Sequence, residues 1–77
     1  MKTTWYFDTV VRMKRPYLRD EWLEEAWHNP IYADLQPNGR VSHFIYVPEF
    51  CKYLRVVFEG DIVHNAYLDR NFKQKTQ

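Results

Sequence analysis

The sequence predicts an α+β fold, with one N-terminal strand or arm and one short helix packed on a four-stranded antiparallel meander sheet. An amphipathic segment of about nine residues begins at Asp20, which indicates the helix. Further along, Asn38-Gly39 and Gly60-Asp61 mark tight turns between segments rich in β-branched and aromatic residues. Because strands joined by short turns close only short loops, a meander is the expected topology.

The chain has 77 residues, enough for one small domain. We expect residues 1–72 to form it and residues 73–77 to be a disordered polar tail. Hydrophobic residues make up 45% and charged residues 27%, which is typical of globular proteins. No apolar run approaches the roughly 18 residues of a membrane helix, and the N-terminus lacks the pattern of a secretory leader. A cytoplasmic protein without membrane contact is therefore expected.

The reactive side chains of the known cofactor and metal enzymes do not form a recognisable pattern in this sequence. Cys51 is the single cysteine, which excludes an internal disulfide and a zinc site built from paired thiolates. Metal-ligand spacing, a glycine-rich phosphate loop and a Ser-His-Asp arrangement are also absent from the sequence. We therefore expect neither a metal nor a cofactor.

The first twenty residues combine β-forming and basic segments. Residues 3–11 are rich in aromatic and β-branched side chains and predict a strand, which should end before Pro16. The net charge of the chain is only +1, yet residues 1–19 carry five basic and one acidic side chain. Arg12, Lys14 and Arg15 are candidate RNA-binding residues, although a basic run is more often a solvated surface.

The predicted helix begins with Asp20 as its N-cap and ends at Asn29-Pro30. Its apolar stripe consists of Trp22, Leu23, Ala26 and Trp27. A helix this short is marginal by itself, so we expect it to dock on the sheet.

The strands are predicted over residues 31–36, 40–47, 52–59 and 62–68. A two-residue loop at Gly60-Asp61 would pair Val57 with His64 and Arg55 with Ala66, and a four-residue loop over 48–51 would pair Phe44 with Arg55. One face of the sheet then carries Tyr46, Tyr53, Arg55 and His64. The other face carries Val41, Ile45, Val47, Leu54, Val56, Phe58 and Val63, and should receive the helix.

The polar face places a guanidinium, an imidazole and two phenols within reach of one another. Such groups can clamp a phosphate, transfer a proton near neutral pH and stack on a base, so Tyr46 and Tyr53 are also candidate RNA-binding residues. A solvated sheet face with ordinary cross-strand pairs is the alternative. His43 falls on the apolar face and is expected to be a half-buried partner of a backbone carbonyl.

Four segments carry a resemblance to a known group of proteins: residues 36–40 (QPNGR), 52–57 (KYLRVV), 63–67 (VHNAY) and 69–70 (DR). With these segments, the chain from Phe7 to Phe72 resembles short uncharacterised bacterial proteins related to toxins of the RelE and BrnT type. The resemblance implies the barnase–EndoU–colicin–RelE fold, in which a helix lies against an antiparallel sheet.

The same resemblance implies metal-independent RNA cleavage by acid-base chemistry, as the toxin component of a toxin–antitoxin system. Arg55 would bind the scissile phosphate, His64 would act as acid or base, and Tyr67 and Arg70 would assist. An antitoxin protein encoded by the adjacent gene would be a partner. The near-neutral charge departs from the strongly basic surface of such toxins.

The residues by themselves are also compatible with a different class of function. Aromatic residues make up 18% of the chain, and exposed Trp and Tyr favour contacts between proteins. A non-catalytic interaction module, or a subunit of a complex or homo-oligomer, is the alternative to an endoribonuclease.

Overall fold

A computed structural model describes residues 1–72 as an α+β fold, with two helices on one face of a four-stranded antiparallel sheet. The predicted tail, residues 73–77, lies outside the described residues. The strands are β1 (Tyr32–Leu35), β2 (Val41–Val47), β3 (Lys52–Glu59) and β4 (Ile62–Asp69). Their spatial order is β1-β2-β3-β4, which confirms the predicted meander.

The predicted N-terminal strand over residues 3–11 is wrong. A helix, α1, follows Thr4 and consists of a π-helical segment, Phe7–Val11, and an α-helical turn, Arg12–Lys14. Only Thr3 forms a bridge, parallel to Val63 of β4. Phe7 and Val11 lie four positions apart and both become fully buried, so packing on the sheet outweighs the β-forming tendency of the segment.

The second helix, α2, spans Asp20–His28 and ends at Asn29, as predicted. The N-cap prediction is wrong by one residue, because Arg19 has the extended backbone of the cap and Asp20 is the first helical residue. The Asp20 carboxylate instead pairs with Arg12 of α1 at 2.6 Å. Asp20 therefore links the two helices rather than capping one of them.

The main core lies between the helices and one face of the sheet. The helices contribute Phe7, Val11, Trp22, Leu23 and Ala26, the connecting segment contributes Leu18, and the sheet contributes Ile45, Val47, Leu54, Val56, Phe58, Val63 and Ala66. Six of the seven residues predicted for the apolar face are thus confirmed in the core, whereas Val41 is only partly buried and lies outside it. His43 lies at the edge of this core, where its Nδ1 is 2.7 Å from the carbonyl oxygen of Ala26, as predicted.

The register between β2 and β3 agrees with the prediction, including Phe44 opposite Arg55 and Tyr46 opposite Tyr53. Between β3 and β4 the register agrees next to the Gly60-Asp61 turn, where Glu59 lies opposite Ile62, and departs beyond it, because the pairing shifts by one residue between Val57 and Phe58. Val57 lies opposite Asn65 rather than His64.

This β-bulge leaves His64 without a directly opposed residue on β3 and changes which side chains of β4 share the face of Arg55. Tyr67 lies opposite Arg55, where Ala66 was predicted. Ala66 is fully buried in the helix-covered core instead. The bulge therefore brings Tyr67 and Asp69 to the polar face and turns Ala66 away from it.

Candidate functional site

A polar pocket of about 250 Å³ opens on the face of the sheet opposite α2. Its lining side chains come from the N-terminal segment just before Phe7, the β1–β2 turn and three strands: Tyr6, Gln36, Asn38, Arg40, Ser42, Arg55, Val57, His64, Asn65 and Tyr67. Arg55, His64 and Tyr67, three of the four predicted catalytic residues, therefore line one pocket.

His64 is held at the pocket by the N-terminal segment. The ring of Tyr6 stacks on the imidazole, with centroids 5.1 Å apart and an interplanar angle of 24°. The Oγ1 atom of Thr4 lies 3.5 Å from His64 Nδ1 and also accepts the amide hydrogen of Phe7 at 3.1 Å. Because Nδ1 faces Thr4, Nε2 is the ring nitrogen that is available to contact a ligand.

Arg55 lies in a network that joins all four strands. Its Nε donates to Ser42 Oγ at 2.9 Å, and its Nη1 lies 3.4 Å from Asp69 Oδ2. Asp34 of β1 is 4.0 Å from Nη2. Ser42 is almost completely buried, so Arg55 satisfies a hydroxyl that water cannot reach. Two carboxylates compensate its charge, and a phosphate would have to compete with them.

Arg40 is the more available cation of the pocket. Its Nη2 lies 3.7 Å from Glu59 Oε2, and both side chains are substantially exposed. Surface pairs of this kind contribute only about 0–1 kcal/mol, so an anion can replace Glu59 at little cost. Sequence reasoning missed Arg40, although its spacing of two from Ser42 indicates the same face of β2.

Two asparagines present hydrogen-bond donors to the pocket. The Oδ1 of Asn38 accepts the amide hydrogen of Arg40 at 3.0 Å, and the Oδ1 of Asn65 accepts that of Ala66 at 2.9 Å. Each side chain is left with its Nδ2 hydrogens to offer. Together with Arg40, these groups favour a ligand rich in acceptor oxygens.

The predicted basic residues Arg12, Lys14, Arg15 and Arg70 are not among those that line the pocket. Arg15 lies near one lining residue, with its guanidinium carbon 5.9 Å from the centre of the Tyr67 ring. Arg12 pairs with Asp20 and lies over Phe7, and Lys14 is exposed on α1. Arg70 is exposed just after β4 and is not among the lining residues.

The predicted aromatic residues form a second feature on the same face. Tyr46 and Tyr53 contact each other edge to face, with centroids 5.2 Å apart, and neither lines the pocket. A side-chain hydrogen bond with Cys51, followed by desolvation, raises the pKa of Tyr46 above its ordinary value of 10.0.

Within residues 1–72, no cluster of three or more His, Cys, Asp or Glu side chains is arranged to hold a metal ion. None of the helices in this part of the chain is long and apolar enough to cross a membrane. No protein-family model matches the chain, and no match to a curated protein or a solved structure was found.

Proposed function

We propose that this protein binds single-stranded RNA at the polar pocket and cleaves it without a metal ion, as a toxin-type endoribonuclease. The observation that carries the proposal is that Arg40, Arg55, His64 and Tyr67 line one pocket. In metal-independent phosphodiester cleavage an imidazole and a phenol can act as general base and general acid, and cations can stabilise the phosphate.

In the proposed reaction, Nε2 of His64 removes the proton of a ribose 2′-hydroxyl, and the 2′-oxygen attacks the adjacent phosphorus. The bond from phosphorus to the 5′-oxygen breaks as that oxygen takes a proton from the Tyr67 hydroxyl. The guanidinium of Arg15, 5.9 Å from the Tyr67 ring, would stabilise the resulting phenolate. Proton return from His64 to Tyr67 restores both groups.

Arg40 would bind the phosphate whose charge grows during the attack, while Arg55 would hold the sheet and polarise the pocket floor. This division follows from their contacts, since Arg55 already has two carboxylate partners and Arg40 has one exposed partner. The RelE-type resemblance supports the same reaction. An antitoxin partner is a further part of the proposal.

The direct test is incubation of the purified protein with end-labelled RNA in excess EDTA. Cleavage should persist and leave 2′,3′-cyclic phosphate ends, and His64→Gln should slow it by about 10²-fold or more. His28→Gln is the matched control, because His28 is an exposed histidine at the end of α2, outside the pocket. Absence of cleavage by the wild type, or equal loss in both variants, would overturn the proposal.

A non-catalytic interaction module is the second candidate function, favoured by two exposed apolar side chains of the N-terminal segment. Trp5 is 78% exposed and Met13 is 77% exposed, and both lie in the N-terminal helical segment. A partner protein or a second copy would cover them. Two results together would count against this function. Analytical ultracentrifugation would show a monomer, and the double variant Trp5→Ser plus Met13→Ser would lose no co-purifying protein that the wild type retains.

A further inference from the structure

A second aromatic cluster lies on the sheet face that the helices leave free. Phe44 points away from the main core, yet it is only 3% exposed. Its ring is covered by Tyr32, by Phe72 and by the guanidinium of Arg55, which lies 5.2 Å from the ring centre. The residue that covers it most closely therefore comes from the end of the described chain.

Phe72 stacks on Phe44 with centroids 4.1 Å apart and an interplanar angle of 16°. Tyr53 and Tyr32 flank the Phe72 ring at 5.0 and 5.7 Å. A flat ring parallel to an aromatic platform, with further aromatic rings at its edges, is the geometry in which RNA-binding proteins hold an unstacked base.

A single carboxylate connects the position of Phe72 with the pocket. Oδ1 of Asp69 accepts the amide hydrogens of Asn71 and Phe72 at 2.9 and 3.1 Å, which folds the chain back over the sheet. Oδ2 of the same side chain lies 3.4 Å from Nη1 of Arg55. The turn that places Phe72 over Phe44 is therefore tied to the same guanidinium that lines the pocket.

We propose that Phe72 occupies a base-stacking subsite on Phe44, and that a base of bound RNA displaces it. The inference rests on the proposed RNA binding and adds a specific location for one base. The platform and the pocket are contiguous, because Arg55 contacts Phe44 and also lines the pocket. The chain would then carry its own competitor for RNA, attached through the Asp69 turn.

The first experiment measures binding of a fluorescent 2′-O-methyl oligonucleotide, which lacks the attacking hydroxyl, by anisotropy. Phe72→Ala should bind about fivefold more tightly than the wild type, because the base that stacks on Phe44 no longer competes with an internal ring. Phe50→Ala removes a ring that contacts Tyr17 and Trp22 on the helix side, and should leave affinity unchanged. Equal or weaker binding by a folded Phe72→Ala variant would overturn the inference.

The second experiment uses the wild type and does not depend on how the variant folds. The aromatic NMR resonances of Phe72, shifted by ring currents from Phe44, should move toward free values when the oligonucleotide is added. Binding without such movement would overturn the displacement of Phe72 and leave the proposed function standing. Absence of binding would overturn both.

Discussion

The two faces of the sheet are stabilised in different ways. The face covered by α1 and α2 is a continuous apolar core in which Leu54, Val56 and Phe58 are fully buried. The free face has a polar network around Arg55 and an aromatic cluster around Phe44. One face therefore stabilises the fold by apolar burial, while the other face holds polar side chains in a fixed arrangement at the surface.

The largest expected effect is a loss of stability on the covered face. Phe58→Ala should lower the free energy of unfolding by about 3–5 kcal/mol, because it leaves a cavity among fully buried side chains. Urea denaturation followed by tryptophan fluorescence measures this. Val57→Ala, on the free face one residue away, should cost less than about 1.5 kcal/mol. Similar losses for the two variants would break the distinction between the faces.

Arg55→Met tests whether the free face also depends on charge pairing. We expect a loss of about 2–3 kcal/mol in urea denaturation, because Ser42 and Asp69 would lose a donor in a poorly hydrated place. Adding Asp69→Asn removes the uncompensated charge while its Oδ1 can still hold the turn after β4. The double variant should recover part of the loss. Strictly additive losses would show that Arg55 and Asp69 are not coupled.

Cys51→Gly should act in the opposite direction. Cys51 has φ 52°, in the left-handed region that costs a residue with a Cβ about 1 kcal/mol relative to glycine. The variant should therefore gain about 0.5–1 kcal/mol, measured by the urea midpoint, despite losing the weak contacts of Sγ with the Pro48 carbonyl and with Tyr46. Cys51→Ala, which keeps the Cβ, should show no such gain, and an equal gain in both would contradict this account.

Arg40→Gln should change stability least, by less than about 0.5 kcal/mol, because its pair with Glu59 is exposed. The same substitution should weaken oligonucleotide binding and flatten its dependence on salt concentration by about one phosphate contact. Lys52→Gln, an exposed cation on β3 outside the pocket, is the matched control. A large loss of stability, or unchanged salt dependence, would show that Arg40 is structural rather than ligand-binding.

The local sequence determined most of the fold. Asn29-Pro30 ends α2, turn residues separate the strands, and alternation along β2 and β3 assigned the core face correctly, because each depends on residues close together in the chain. The apolar spacing of α2 likewise predicted its buried side, since helical geometry alone decides which residues share a face.

Tertiary structure decided the rest. The segment before Pro16 is helical because burying Phe7 and Val11 in the core outweighs its β-forming composition, and this brings Tyr6 to His64. The bulge in β4 likewise has no local signal in the sequence, yet it puts Tyr67 opposite Arg55. Both outcomes depend on the contact energies between segments that are distant in the chain. The periodic pattern of one segment carries no information about those energies.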